Sequence, residues 1–469
     1  MRIRALAIGA ALVVLTCAFW ARVRTVEFYQ DDFSSLWKVH ALGMRGMLAA
    51  VVAATRAPSW RPLSSELWFW SNLQAWGARP SAFHIAGLLA FAIEITLGFA
   101  LARRLLRSDA AAGAVAALWA TNPVHSQSLA WCSGIGDILM GVFVLGSLLA
   151  HDSWVRGGGR SVAWRVASAM SVALAMLCKE PAAMMPIVVI AYDTWLAEPR
   201  ARDTRERLQR AAPYLALSLL YGLRFFWAGL PEAGPYHLAP GLLSARNLAA
   251  YFGWSFGLLP PAHHAWTARS MIAMALAALA ALVVVLASRA RWRQQAGLLG
   301  FGVLWFGAFI FPVLLVPRQC YAYYASLPSF GPTLAVVTIA FQPGARRAVI
   351  LLTVVVGMLV AARARALRDT FDWWNGAQNR LPASATRSIQ QAGGLAGVTT
   401  LYLVGTPVSE RWAYDFQWMF RFEWPSIADV TFLDDVRDVP ARVWDDPGSA
   451  VLTLSQGRAQ RLRRTREAR

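Results

Sequence analysis

Long apolar runs separated by short arginine clusters constrain this 469-residue chain more than any other feature. A helix needs about 20 apolar residues to cross the hydrocarbon of a bilayer. Runs of that length or somewhat less occur near 5–20, 84–102, 110–121, 134–150, 163–178, 181–196, 212–230, 270–288, 297–316, 326–342 and 347–362. They predict an all-α polytopic membrane protein of about eleven spans. The composition agrees, with 57% hydrophobic and only 15% charged residues.

The formal charge of +19 does not indicate nucleic acid. The arginines gather between apolar runs rather than on one face of a soluble domain, and the positive-inside rule accounts for such clusters. Threading the spans alternately puts Arg103, Arg104 and Arg107, then Arg156, Arg160 and Arg165, then the run from Arg200 to Arg210, then Arg289, Arg291 and Arg293, then Arg346 and Arg347 on the side of the N-terminus. That side is expected to be cytoplasmic. Met1-Arg-Ile-Arg4 and the apolar run to Trp20 read as an uncleaved first span, because no small-x-small cleavage site follows. Usage rich in Ala, Arg and Trp points to a bacterial inner membrane with a periplasmic outer face.

Two segments depart from the span pattern. Residues 21–83 form a long external loop with an amphipathic helical pattern at Leu36, Val39, Leu42, Met47 and Val51, followed by the aromatic stretch Trp60–Trp70. Interfacial helices roofing the bundle are expected there. The tail, 363–469, is expected to be a small external α/β domain: a polar helix to about 392, strands at Thr399–Val404, Asp429–Leu433 and Ala450–Leu454, and a basic end, Arg458–Arg469, that is disordered or touches lipid headgroups. Cys17, Cys132, Cys178 and Cys320 lie singly, so buried free thiols are the simplest expectation, although the last three fall near outer span ends where one disulfide is conceivable.

The polar motifs converge on the outer side in this threading. Asp31-Asp32 opens the external loop, where two adjacent carboxylates are costly to desolvate. One can act as a general base, or the pair can hold a divalent cation such as Mg or Mn, or Asp32 can simply cap a helix. Asn122-Pro-Val-His125 and Gly134-Ile-Gly-Asp137 flank the next outer loop, where His125 can donate to an anion or Asp137 can cap a span. Lys179-Glu180 can meet a lipid phosphate or orient a turn. Arg224 sits inside an apolar run, and Glu94 is a rival explanation for it, as its ion-pair partner. Arg318 offers a fork for phosphate, and Tyr321, Tyr323 and Tyr324 offer surfaces for a sugar or prenyl chain. No Walker loop, G-x-S-x-G elbow or H-E-x-x-H helix is present.

Taken together, the acidic pair after the first span, Arg61-Pro62, Asn122-Pro-Val-His125, Gly134-Ile-Gly-Asp137, Lys179-Glu180 and Tyr321–Pro328 resemble the GT-C glycosyltransferases over roughly residues 5–345. The branch most alike contains the protein O-mannosyltransferases and the transmembrane-and-TPR mannosyltransferases. The resemblance implies a GT-C-like membrane domain over 1–362 and inverting transfer of a sugar, of hexosyl or mannosyl type, from a polyprenyl-phosphate donor to a protein, lipid or glycan acceptor on the outer face. It implies a catalytic role for Asp31 and Asp32, donor-phosphate roles for Lys179, Arg224 and Arg318, pocket-floor roles for His125 and Asp137, and substrate contacts from Arg61, Glu180 and the tyrosines. Ile135 stands where relatives often carry arginine, and no TPR array is present, which leaves the acceptor open. The alternatives are a transporter or flippase of lipid-linked glycans and a non-catalytic membrane scaffold. A flippase is expected to show polar residues through the whole membrane depth and an internal repeat, and neither is evident.

Overall fold

The computed structural model describes residues 2–53, 55, 60–229, 236–257, 289–340, 363–364, 371–372, 376–415 and 417–462. Helices run in the order α1 (Arg2–Phe19), α2 (Asp32–Ala53), α3 (Trp68–Trp76), α4 (Pro80–Leu106), α5 (Asp109–Ala120), α6 (Ser126–Ala130), α7 (Ile135–Arg156), α8 (Val162–Cys178), α9 (Met185–Trp195), α10 (Thr204–Ala228), α11 (Leu242–Ser255), α12 (Arg289–Leu314) and α13 (Phe330–Ala340). Among the described residues four helical stretches, Ile3–Thr25, Pro80–Leu106, Cys132–Arg156 and Gln295–Leu314, are long and apolar enough to cross a membrane. Helices α5, α8 and α13 are shorter apolar pieces, and the spans expected near 270–288 and 347–362 lie outside the described residues.

The bundle core is tied at its loop ends by buried tryptophans. Each indole N–H must find an acceptor when buried. Trp20 donates to the Ala120 carbonyl at 2.8 Å, Trp119 to Ser326 at 3.0 Å and Trp305 to Leu327 at 3.0 Å. The last two pin the segment after α12, which carries the tyrosines, onto the bundle.

At one end of the bundle the arginine clusters meet. Asp152, on the last turns of α7, accepts from Arg104 at 2.6 Å, from Arg156 at 2.8 Å and from Tyr192. Arg107 pairs with Glu198, and Arg210 with Glu206 at 2.6 Å. His151 is buried between the Tyr214 hydroxyl at 3.0 Å and Asp193 at 3.1 Å. The side chains of Arg289, Arg291 and Arg293, and Arg346 and Arg347 altogether, lie outside the described residues.

Helix α2 is broken at Gly43, whose φ of +56° is open to glycine and strained for other residues. Leu36, Val39 and Met47 are buried and Val51 half-buried, as the amphipathic pattern requires, while the Leu42 side chain lies outside the described residues. These helices do more than roof the bundle. Phe33, Leu36 and Val39 share one hydrophobic cluster with the C-terminal segment.

That segment contains α14 (Ala377–Gln391), β1 (Thr400–Val404), α15 (Val408–Arg411), α16 (Trp418–Glu423), β2 (Asp429–Leu433), β3 (Ser449–Ser455) and β4 (Arg458–Arg461). The sheet order is β2-β1-β3-β4, parallel except for β4. Leu381, Ala385 and Ile389 recur every four residues along α14 and pack with Leu401, Leu403, Leu452 and Leu454. The start of the basic end is ordered: Gln456 and Gly457, both with positive φ, turn the chain so that Arg458–Arg461 pairs antiparallel with β3. Residues 463–469 lie outside the described residues. The Trp37 and Trp418 rings, 4.5 Å apart, join this segment to α2, and Gln30 N–H donates to the Ala413 carbonyl at 3.4 Å.

Candidate active site

At the end of the bundle opposite the arginine network, a cavity of about 440 Å³ opens between the start of α2, the turn Pro62–Leu67, the start of α7 and the end of α8. Its walls carry Asp31, Lys38, Arg61, Glu66, Asp137 and Lys179, with Ser34, Ser35, Ser64, Ser65 and Ser133 between them. The volume falls within the ~300–1,000 Å³ of small-molecule sites.

The two aspartates divide sharply. Asp32 is buried, and both its oxygens are engaged inward: Oδ1 accepts from the Ser133 N–H at 2.8 Å and the Ser133 hydroxyl at 2.7 Å, and Oδ2 from the Tyr29 N–H at 3.1 Å. It clamps the first loop to the loop before α7. The Asp31 carboxylate accepts no hydrogen bond from any other described residue and faces the cavity. Solvent reaches it there, yet the surrounding protein strips enough hydration to push its pKa up to about 6, with the Asp415 carboxylate adding to the rise and Arg61 opposing it. Burial pushes Asp32 to about 7 against the pull of its Ser133 hydrogen bonds.

The cations are held by carboxylates behind them. Arg61 donates Nε and Nη2 to Glu180 at 2.8–3.1 Å, a bidentate fork that leaves Nη1 uncommitted among the described residues. Burial opposes both charges, but the pairing outweighs it, raising Arg61 and lowering Glu180. Lys179 pairs with Asp137 and lies 4.6 Å from the ring centres of both Tyr323 and Tyr324. Its burial brings the ammonium down to about 8, against the attraction of Asp137.

Other sequence candidates lie elsewhere. His125 is buried with both ring nitrogens engaged, Nδ1 with the Ser326 hydroxyl at 2.7 Å and Nε2 with the Trp119 carbonyl at 2.9 Å, and it does not line the cavity. Burial drops its pKa to about 3, so it is a neutral strut. Arg224 lies over the Tyr221 ring at 5.0 Å and the Trp60 ring at 5.8 Å, outside the cavity wall. Glu94 does not pair with it. The Glu94 carboxylate sits in a notch left by Gly141 and meets no hydrogen-bond partner among the described residues. Arg318 is exposed and off the cavity wall. Tyr321 stacks on Tyr323 at 5.6 Å, and of the three tyrosines only Tyr323 reaches the wall.

No protein-family model matches the chain. A solved structure of ArnT from Cupriavidus metallidurans, bound to undecaprenyl phosphate, superposes with a TM-score of 0.54 at 13% identity, covering 96% of this chain and 92% of that one. The two chains share one fold. Curated relatives agree over shorter stretches: the protein O-mannosyl-transferase Tmtc2 of Drosophila melanogaster is 32% identical over 140 residues, and human TMTC2 is 26% identical over 185. Those stretches cover 29% and 36% of this chain but only 15% and 22% of the relatives. Apolar helices and this shared fold together make the chain an integral membrane protein.

Several residues in and beside the cavity carried no motif. Lys38 had a readable signal, since Asp31, Ser34, Ser35 and Lys38 follow the i, i+3, i+4, i+7 spacing of one helix face. Glu66 and Tyr236 had none, and Asp415, which lies off the cavity wall but whose Oδ2 accepts the Ser34 N–H at 3.1 Å, is 381 residues from Ser34 in sequence. All four cysteines are free. Among the described residues no three His, Cys, Asp or Glu side chains gather as metal ligands.

Proposed function

We propose that this chain is an inverting glycosyltransferase that moves a sugar from a polyprenyl-phosphate carrier to an acceptor hydroxyl, working on the outer face of a bacterial inner membrane with its N-terminus cytoplasmic. The observation that carries the reading is a free carboxylate, Asp31, sharing one cavity with two fixed cations, Arg61 and Lys179. Asp31 takes the proton of the acceptor hydroxyl as its oxygen bonds to the anomeric carbon. The bond from that carbon to the phosphate oxygen breaks on the opposite face, and the electron pair leaves with the polyprenyl phosphate. Arg61 Nη1 and Lys179 stabilise that leaving charge, and because carboxylates already hold both cations in place, little reorganisation is needed. Asp32 keeps the loop in register through Ser133.

A second observation supports a lipid carrier. The single turn Glu180–Met184 has Glu180 behind Arg61 at one end, while Met184 at the other lines an apolar groove of about 1020 Å³ between α9, α12 and α13. Charge and grease meet within one turn, as a phosphate joined to a prenyl chain requires. The acceptor, whether protein, lipid or glycan, enters beside Asp31, and a count of about eleven spans belongs to this reading.

The test is direct. Purified wild-type protein and Asp31→Asn are incubated with polyprenyl-phosphate-linked hexoses and mixed acceptors, and release of polyprenyl phosphate is followed by mass spectrometry. Release by wild type alone is the expected result. Equal release by the asparagine variant removes Asp31 from the base role, and no binding or consumption of any carrier by wild type removes the transferase reading.

A further inference from the structure

Resting on that reading, we infer that Glu66, held by Lys38, is the group that recognises hydroxyls of the transferred sugar, so that the cavity reads a hydroxylated hexose at one pole and its phosphate at the other. Glu66 is 5% exposed, yet it belongs to the cavity wall. One of its oxygens accepts from Lys38 Nζ. The other accepts no hydrogen bond among the described residues. A carboxylate half committed to a cation and half open to a cavity keeps an acceptor ready for a donor that enters there. A sugar hydroxyl is such a donor, and the neighbouring Lys38 ammonium can give a hydrogen to the adjacent sugar oxygen.

The local backbone sets the spacing. Pro62–Leu67 is a π-helical turn, in which the Trp68 N–H bonds back to the Leu63 carbonyl five residues earlier. Arg61 and Glu66 are likewise five apart, so this turn sets the phosphate-facing cation and the open carboxylate one turn from each other. Lys38 comes from the opposite wall, on the face of α2 that carries Asp31. Ser64 is already committed, its hydroxyl donating to the Cys178 carbonyl at 2.8 Å, which fixes the turn against the end of α8. The carboxylate therefore sits on a braced element, as a specificity contact needs.

Equilibrium binding of undecaprenyl phosphate, undecaprenyl-phosphate-hexose and its deoxyhexose analogues to the detergent-solubilised full chain tests this. Wild type is expected to prefer the hexosyl carrier over the deoxy analogue lacking the contacted hydroxyl by about 10–100-fold, the size of a hydrogen bond to a charged group. Glu66→Gln is expected to level that preference while leaving the affinity for bare undecaprenyl phosphate unchanged. Retention of the full preference by Glu66→Gln overturns the assignment. If that variant also loses the bare carrier, Glu66→Asp, which keeps the charge but withdraws the carboxylate, decides: loss of preference supports the inference and an undiminished preference overturns it. Failure of wild type to bind any carrier removes the transferase reading instead, a result distinct from both.

Discussion

Helix α7 carries a buried aspartate near each end, and the two ends have different fates. Asp137 and Asp152 are 15 residues apart, about 22 Å along the helix. Around Asp152 the oxygens are occupied: two arginines and a tyrosine bond to them, and His151 next to it has both nitrogens bonded. Around Asp137 the ion pairs are as tight, yet they border open space, and several groups are only partly committed: Asp31, one oxygen of Glu66 and Nη1 of Arg61. Buried charge alone therefore marks nothing. What separates a candidate site from a structural knot is spare hydrogen-bonding capacity facing a cavity: Asp193 beside His151 also keeps a buried oxygen without a partner among the described residues, but it does not line the cavity.

The contrast breaks most visibly at Asp31. Replacement by Asn is expected to lower turnover by about 10²–10⁴-fold, with the melting temperature in detergent unchanged because the side chain holds nothing else. Arg61→Met is expected to cost about 10²–10³-fold in turnover, through lost stabilisation of the leaving phosphate. Asp152→Asn tests the other end. It is expected to reduce stability by about 2–3 kcal/mol, less than the ~3–5 of a fully buried pair because Arg104 and Arg156 are 37% and 40% exposed, with turnover per folded molecule preserved. Loss of activity without loss of stability in Asp152→Asn would erase the distinction between the two ends.

The pH profile sharpens the same comparison. A base must be deprotonated, so turnover should rise through pH about 6 as Asp31 ionises, and it should fall again above about 8 as Lys179 loses its proton. Asp31→Asn should lack the acid limb. The smallest effect is expected from Asp415→Asn, which removes a like charge from beside Asp31 and moves the acid limb to lower pH, a shift readable in the same titration.

How much of this was legible depended on sequence distance. The strands at β1, β2 and β3 and the helix α14 follow from local alternation and periodicity, and they lie where the pattern put them. Asp31, Arg61, Asp137 and Lys179 share a cavity because each sits at an element boundary on the same side of the bundle, which span counting can track. His125 was misleading: nothing in Asn122-Pro-Val-His125 foretells that the Ser326 hydroxyl, 201 residues on, will occupy Nδ1. The pairing of Lys38 with Glu66 and the capture of the Ser34 N–H by Asp415 are likewise tertiary facts with no local signature. The β4 hairpin was hidden by Gln456-Gly457, a turn less recognisable than Asn-Gly.

The bond from Ser34 to Asp415 has a consequence for the timing of assembly. The helix start bearing Asp31 receives this acceptor, together with the Trp37–Trp418 contact, from chain made 381 residues later. A ribosome that has synthesised every helix of the bundle has still not supplied the carboxylate that faces Asp31. The nascent protein thus holds Asp31 without its neighbouring carboxylate through much of its own insertion, and the Asp31 environment is finished only when the segment carrying Asp415 docks on α2.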